Sequence, residues 1–123
     1  MIFLERRDYL QNDKANSLMD EYKVWKEERL DEPGWFPIFT EFKDSELLRD
    51  LSGNSLKLYI YLGLHSKNLT GISWHSLETI GKYFNKSPRT ISNWLEELKE
   101  KKLIERIQLD RSTTAITFLK PYQ

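Results

Sequence analysis

Cysteine is absent from this chain of 123 residues. Its absence excludes a disulfide framework, thiolate metal ligands and a thiol nucleophile. The chain also lacks an apolar run near the length of about 20 residues that a membrane-spanning helix needs. The apolar start at residues 2–4 is followed at once by charged residues, unlike a signal peptide. We therefore expect a cytoplasmic protein that has no membrane partner.

Motifs of catalysis and of cofactor binding are missing as well. The sequence offers no glycine-rich loop that could hold a phosphate and no nucleophile beside a histidine. Its two histidines, His65 and His75, have no companion ligands at a recognised zinc spacing. The sequence therefore predicts that the protein is not an enzyme and binds neither a metal nor a cofactor.

An excess of positive charge, which DNA-binding domains normally carry, is absent from the chain as a whole, since its formal net charge is zero. The average conceals a gradient along the chain. Residues 1–50 carry eight Lys and Arg against 13 Asp and Glu, whereas residues 51–123 carry 11 against six. This distribution is typical of an acidic arm attached to a domain that faces nucleic acid.

The acidic arm has the pattern of an amphipathic helix between Asp13 and Leu30, with Asp13 as the expected N-cap. Pro33 and Gly34 end it. Residues 1–34 are thus a helical arm, and residues 35–123 are the main domain. The arm either packs on its own core or joins two copies of the chain, and its aromatic residues favour a homodimer. Its apolar stripe comprises Ala15, Leu18, Met19, Tyr22 and Trp25.

The main domain reads as mainly helical, with a small β-hairpin near its end. A three-residue connector, residues 110–112, separates two β-rich runs and predicts the hairpin. The expected elements are a short helix from Ser45 to Leu51, a break at residues 52–54, an apolar core helix that ends near residues 65–67, a minimal strand at Ile72 to Trp74, a helix capped by Ser76, and strands at Leu103 to Leu109 and Thr113 to Leu119.

Residues 76–98 predict two helices joined by a tight turn. Gly81 supplies the small residue that two steeply crossing helices need, and Asn85 tolerates the left-handed conformation of such a turn. Ser87 caps the second helix, and Pro88 takes its first position, where no amide donor is needed. The second helix is therefore expected from Ser87 to Leu98.

The second helix has two chemically different faces. One is apolar and should be buried, with Ile91, Trp94, Leu95 and Leu98 at helical spacing. We expect Trp94 and Trp74 in the core rather than stacked on bases. The other face carries Arg89, Thr90, Ser92 and Asn93, which suit base edges and phosphates in a major groove, because Arg can read guanine and Asn can read adenine. The mixed charges that follow predict a solvated face, with Glu97 paired to Lys101.

These residues resemble the winged helix-turn-helix family. The resemblance rests on Gly81, Phe84, Asn85, Ser87, residues 89–91 and residues 94–95. Residues 51–53, the apolar helix after them and residues 70–78 are similar to the N-terminal domains of plasmid and phage replication initiators. Lys86 departs from the usual Val or Ile, and Gly81 replaces the commoner Ala. The resemblance covers roughly residues 39–121 and leaves the arm out.

The resemblance implies a mainly α fold with a small β-hairpin wing, a winged helix-turn-helix with an N-terminal helical extension. The second helix would enter the major groove, the two lysines beside the turn would bind phosphates, and the wing would approach the backbone or minor groove. The expected DNA-binding residues are Lys82, Lys86, Ser87, Arg89, Thr90, Ser92, Asn93, Arg111, Ser112 and Thr113.

The expected function is sequence-specific binding of double-stranded DNA by a homodimer. The protein would act as a replication-initiator-like protein or as a transcriptional regulator of a plasmid, phage or bacterial chromosome. The alternative is a protein-interaction winged-helix module, such as a primosome or partition adaptor, that does not read DNA sequence.

Overall fold

A computed structural model describes residues 11–123, which divide into two compact units between Trp35 and Phe36. The described part of the first unit contains one helix, α1, at Asp13–Asp31. The prediction of this helix is confirmed, but its cap is Asn12 rather than Asp13. The Asn12 side chain accepts a hydrogen bond from the Ala15 amide at 3.0 Å, because Asn12 has the extended backbone that a capping residue needs. No residue of α1 is buried.

The second unit contains the remaining helices and a three-stranded sheet. The order is α2 at Glu41–Asp44, α3 at Leu47–Asp50, α4 at Gly53–His65, β1 at Ile72–Ser73, α5 at Leu77–Phe84, α6 at Pro88–Glu100, β2 at Ile104–Ile107 and β3 at Ile116–Leu119. Helices α4, α5 and α6 surround a core that they share with the sheet. The predicted fold class, mainly α with a small β-hairpin, is confirmed.

The region before α4 differs from the prediction. The single helix expected from Ser45 to Leu51 is wrong, because Ser45 ends α2 and Glu46 takes a left-handed conformation, φ 69°, that interrupts the helix. The predicted break at residues 52–54 also extends too far along the chain, because its last two residues are helical. Ser52 caps α4 by accepting from the Ser55 amide at 3.2 Å, so Gly53 already lies inside the helix.

The sheet has the antiparallel order β1-β3-β2. The predicted strands of the hairpin are too long, since residues 108–115 form an eight-residue loop instead of a three-residue connector. Side chains satisfy the backbone of this loop in place of the strand ladder. Gln108 Nε2 donates to the Thr113 carbonyl at 3.0 Å, and the Ser112 amide donates to Asp110 Oδ1 at 2.8 Å.

The core confirms one of the two expected tryptophans. Trp94 is buried, but Trp74 is 50% exposed, so its placement in the core was wrong. Trp74 follows β1, and the alternation of side chains along an extended segment buries Ser73 and turns its neighbour outward. Phe36, by contrast, packs against the core. Its ring lies on Gly63 and occupies the space that a Cβ at position 63 would need.

Candidate nucleic-acid interface

The predicted turn between α5 and α6 is confirmed in its backbone details. Asn85 ends α5 in the left-handed conformation, φ 57°, and the Lys86 amide donates to the Gly81 carbonyl at 2.9 Å. Ser87 then caps α6 by accepting from the Thr90 amide at 3.2 Å, and Pro88 occupies the first turn. The two helices therefore form a helix-turn-helix whose geometry is set by local residues.

Gly81 is needed at the closest approach within this motif. A Cβ at position 81 would lie 2.5 Å from the Lys86 carbonyl oxygen, which is a backbone atom that cannot move without opening the turn. This contact explains why glycine stands here although alanine is the better helix former. The tight packing of the turn therefore outweighs the lower helix propensity of glycine.

The inner face of α6 fixes the helix on the core. Ile91 and Leu98 have no exposed surface, and Leu95 is buried beside them. Trp94 packs edge-to-face on Phe84 of α5, with 5.6 Å between ring centroids. The outer face of α6 is therefore held at a fixed orientation by the packing of the inner one.

On that outer face, Arg89, Ser92 and Asn93 lie at helical positions i, i+3 and i+4 and are exposed. Within residues 11–123, none of these three side chains has a hydrogen-bond or ion-pair partner, so their polar groups face only solvent. Glu96 lies on the same face one turn further on, with its carboxylate 3.7 Å from Lys99 Nζ. The face that suits phosphates and base edges is thus the N-terminal half of α6.

Ser87 and Thr90 are placed differently from their neighbours. Their hydroxyl oxygens lie 3.0 Å apart, and Ser87 also accepts the Thr90 amide as the cap of α6. Thr90 is half-buried. Both hydroxyls therefore serve the start of the helix before any ligand arrives.

Two lysines border the turn. Lys82 and Lys86 are exposed and line a shallow cleft together with Asn85 and Pro88. Neither lysine has an ion-pair partner in the described part of the chain. Their ammonium groups are therefore free beside the N-terminus of α6.

The wing carries the other three predicted residues. Asp110 Oδ1 accepts hydrogen bonds from the Ser112 hydroxyl at 2.7 Å and from the Ser112 amide at 2.8 Å. These bonds, the first more than the second, hold the pKa of Asp110 below its ordinary value. The Thr113 hydroxyl donates to the Asp110 carbonyl at 3.2 Å. Arg111 is exposed and, among the residues described, has no partner. Ser112 and Thr113 thus shape the loop that presents Arg111.

Glu97 has a role that its sequence neighbourhood did not reveal. Its carboxylate accepts three hydrogen bonds at the start of α4, from the Ser52 amide at 2.9 Å, the Ser52 hydroxyl at 2.8 Å and the Ser55 hydroxyl at 2.7 Å. The hydrogen bond that the Ser52 amide donates is the main cause of the lowered pKa of Glu97, and the charge of Lys101 contributes least. The prediction of a solvated Glu97 paired to Lys101 is wrong, because its partners lie more than 40 residues away.

The two histidines come together, which their spacing did not indicate. The rings of His65 and His75 are 4.6 Å apart between centroids, and both contact Tyr61. Burial, and secondarily His65, lowers the pKa of His75, whose Nδ1 is buried without a hydrogen-bond partner among the described residues. No group of three or more potential metal ligands occurs within residues 11–123.

Residues 49–104 match the family model described as Helix-turn-helix domain. The match runs from the end of α3 to the start of β2, and the antiparallel sheet completes the motif. The second unit therefore contains a helix-turn-helix and has the fold of a winged helix-turn-helix. This family indicates DNA binding and is typically a non-catalytic module. No curated protein and no solved structure matches the chain.

Within residues 11–123, no helix has the length and apolarity to cross a membrane.

Proposed function

We propose that this protein binds double-stranded DNA sequence-specifically and catalyses no reaction. The observation that carries the proposal is the row of Arg89, Ser92 and Asn93, exposed and unpaired on a helix whose opposite face is fixed by the core. A recognition helix uses its N-terminal residues to contact base edges. The row lies in that part of α6.

Each residue type fits a defined DNA group. Arg89 presents a planar guanidinium that can bind guanine O6 and N7 together, and Asn93 can pair with adenine N6 and N7. Lys82 and Lys86 supply point charges for phosphates, which fix register without reading sequence. Arg111 extends the interface to the backbone or minor groove. The predicted hydroxyls of Ser87, Thr90, Ser112 and Thr113 are already engaged, and we assign them a secondary part.

The biological setting that we propose is the cytoplasm, where the protein acts as a replication-initiator-like origin binder or as a transcriptional regulator of a plasmid, phage or bacterial chromosome. The similarity of residues 51–53 and 70–78 to replication initiators supports the first role. Both roles use the same interface, which reads duplex DNA through α6.

We further propose that the predicted arm of residues 1–34, of which residues 1–10 lie outside the described part of the chain, joins two copies of the chain into a homodimer. The side chains of Leu18, Tyr22 and Trp25 are each more than half exposed, although they form one stripe on α1. Their spacing of three and four residues is that of a coiled-coil seam. Most of the stability of a helix in a protein comes from packing of its apolar face, and none of the 19 residues of α1 is buried, so the apolar stripe calls for a partner. Two-fold symmetry would match a palindromic site.

A salt-dependent titration of the full chain with fluorescent duplex DNA tests the proposal. True DNA binding gives a linear fall of log K with log salt, with a slope near −0.9 per phosphate contact. Arg89→Ala and Asn93→Ala should each weaken binding by about 1–3 kcal/mol and relax base preference, whereas Lys82→Ala should weaken all sequences alike. Lys43→Ala, at an exposed lysine of α2, is the charge-matched control. Absent affinity and absent slope would favour the protein-interaction module.

A further inference from the structure

Arg106 lies in β2 beside Thr117 of β3, which in turn faces Ser73 of β1. Thr117 and Ser73 are buried, so this row crosses the inner side of the sheet. One guanidinium nitrogen, Nη1, donates to Thr117 Oγ1 at 2.6 Å and to the His75 carbonyl at 3.4 Å. The side chain is thereby fixed between the wing and the residue that precedes the cap of α5.

The other nitrogens of Arg106 remain unused. Nε and Nη2 form no hydrogen bond within the described part of the chain, and neither is sealed from solvent. No carboxylate of residues 11–123 forms an ion pair with Arg106. Its neighbour Glu105 is exposed, as the alternation along a strand requires. The guanidinium is therefore anchored at one end and open at the other.

A partly buried cation without a counter-ion is unfavourable in the free protein. Burial lowers the pKa of Arg106, but an arginine keeps its proton at neutral pH, so the charge persists. A planar guanidinium with a free edge matches the two oxygens of a phosphate. The missing partner thus has the chemistry of an oxyanion supplied from outside the chain.

The position of Arg106 indicates which oxyanion this is. The first helix of a helix-turn-helix crosses the DNA backbone, and α5 is that helix. Arg106 contacts the residue two positions before α5 and belongs to the strand that leads into the wing. We propose that Arg106 binds a backbone phosphate where α5 crosses the duplex, a contact that rests on the proposed DNA binding.

The test compares Arg106→Gln with Lys120→Gln in the salt-dependent titration. Glutamine keeps a donor for Thr117 but removes the charge. Lys120→Gln removes the same charge from the end of β3, beside a cavity lined by Phe36 and Tyr122. The Arg106 variant should lower the magnitude of the salt slope by about 0.9, so that its deficit in affinity shrinks about 3.5-fold between 50 and 200 mM salt. The Lys120 variant should keep the wild-type slope.

A wild-type slope in folded Arg106→Gln overturns the phosphate contact and leaves the proposed DNA binding intact. If wild-type protein itself shows no salt-dependent binding, the proposed function fails and this contact fails with it. If circular dichroism shows that Arg106→Gln is unfolded, the wild-type chain is treated instead with a dicarbonyl reagent that modifies arginine, with and without duplex DNA. Duplex DNA should then protect Arg106 from modification, and equal modification with and without duplex overturns the proposal.

Discussion

Helices α1 and α6 carry the same kind of apolar spacing but have different surroundings. Helix α6 buries four side chains, namely Ile91, Trp94, Leu95 and Leu98, whereas α1 buries none. Apolar periodicity therefore predicts a helix and its face, but it does not say what covers that face. For α6 the cover is the core of its own unit. For α1 we propose a second copy of the chain.

The largest effect should distinguish the two helices by stability. Leu98→Ala removes a fully buried side chain of α6 and should lower the free energy of unfolding by about 2–5 kcal/mol. Leu18→Ala, at the 54% exposed position of α1, should change the unfolding of the second unit by less than about 0.5 kcal/mol. Urea unfolding of both variants, followed by circular dichroism, measures the difference. Equal losses would mean that α1 belongs to the same core.

The close approach at the turn predicts the next effect. Gly81→Ala places a Cβ 2.5 Å from the Lys86 carbonyl and should destabilise the unit by about 1–3 kcal/mol. Gly53→Ala is the matched control, because a Cβ at position 53 meets nothing within 4 Å. Thermal unfolding of both variants should show a loss only for Gly81→Ala. A neutral Gly81→Ala would contradict the geometry of the turn.

Glu97 joins α6 to the start of α4 through hydrogen bonds. Removing its charge should destabilise the fold less than Gly81→Ala does. Glu97→Gln removes the charge from three hydrogen bonds and should lower stability by about 1–2 kcal/mol at neutral pH. Because folding lowers the pKa of Glu97, its contribution is present above the ordinary value of 4.5 and is lost as the pH falls through the folded pKa. Urea midpoints measured from pH 7 to pH 3 should therefore converge for the two proteins. A constant difference would contradict this role.

The smallest effect on folding should come from the stripe of α1, whose role is association. Trp25→Asp should convert a dimer to a monomer in sedimentation or light scattering, while the unfolding of the second unit changes by less than about 0.5 kcal/mol. Val24→Asp adds the same negative charge at an exposed position on the far side of the helix from the stripe. It should leave the mass unchanged. A wild-type chain that is monomeric at high concentration would contradict the proposed dimer.

Sequence reasoning succeeded where structure depends on neighbouring residues. Gly81, Asn85 and Ser87 specify the turn within seven positions, so their local conformational preferences were sufficient. It failed where the partner is distant along the chain. Glu97 bonds to Ser52, and no local pattern marks such a contact.

The wing was also predicted incompletely, although the side-chain contacts that were missed there join residues close together in the sequence. β-branched residues predicted strands up to the connector, but the side chains of Gln108 and Asp110 satisfy the loop backbone and shorten both strands. Arg106 was not predicted as a site residue, because its isolation from carboxylates becomes visible only when β2 is paired with β3. The outer face of α6 could be predicted from helical spacing. That its side chains have no partner within the described residues could be seen only in the structure.

Selection of bound sequences from random duplex DNA tests the central claim most directly. The wild-type chain should enrich a defined site, and a dimer should enrich two inverted half-sites about one helical turn apart. Arg89→Ala and Asn93→Ala should each lose preference at different base pairs of that site, because the two side chains contact different bases. A wild-type selection with no enrichment over the starting pool would contradict sequence-specific DNA binding through α6.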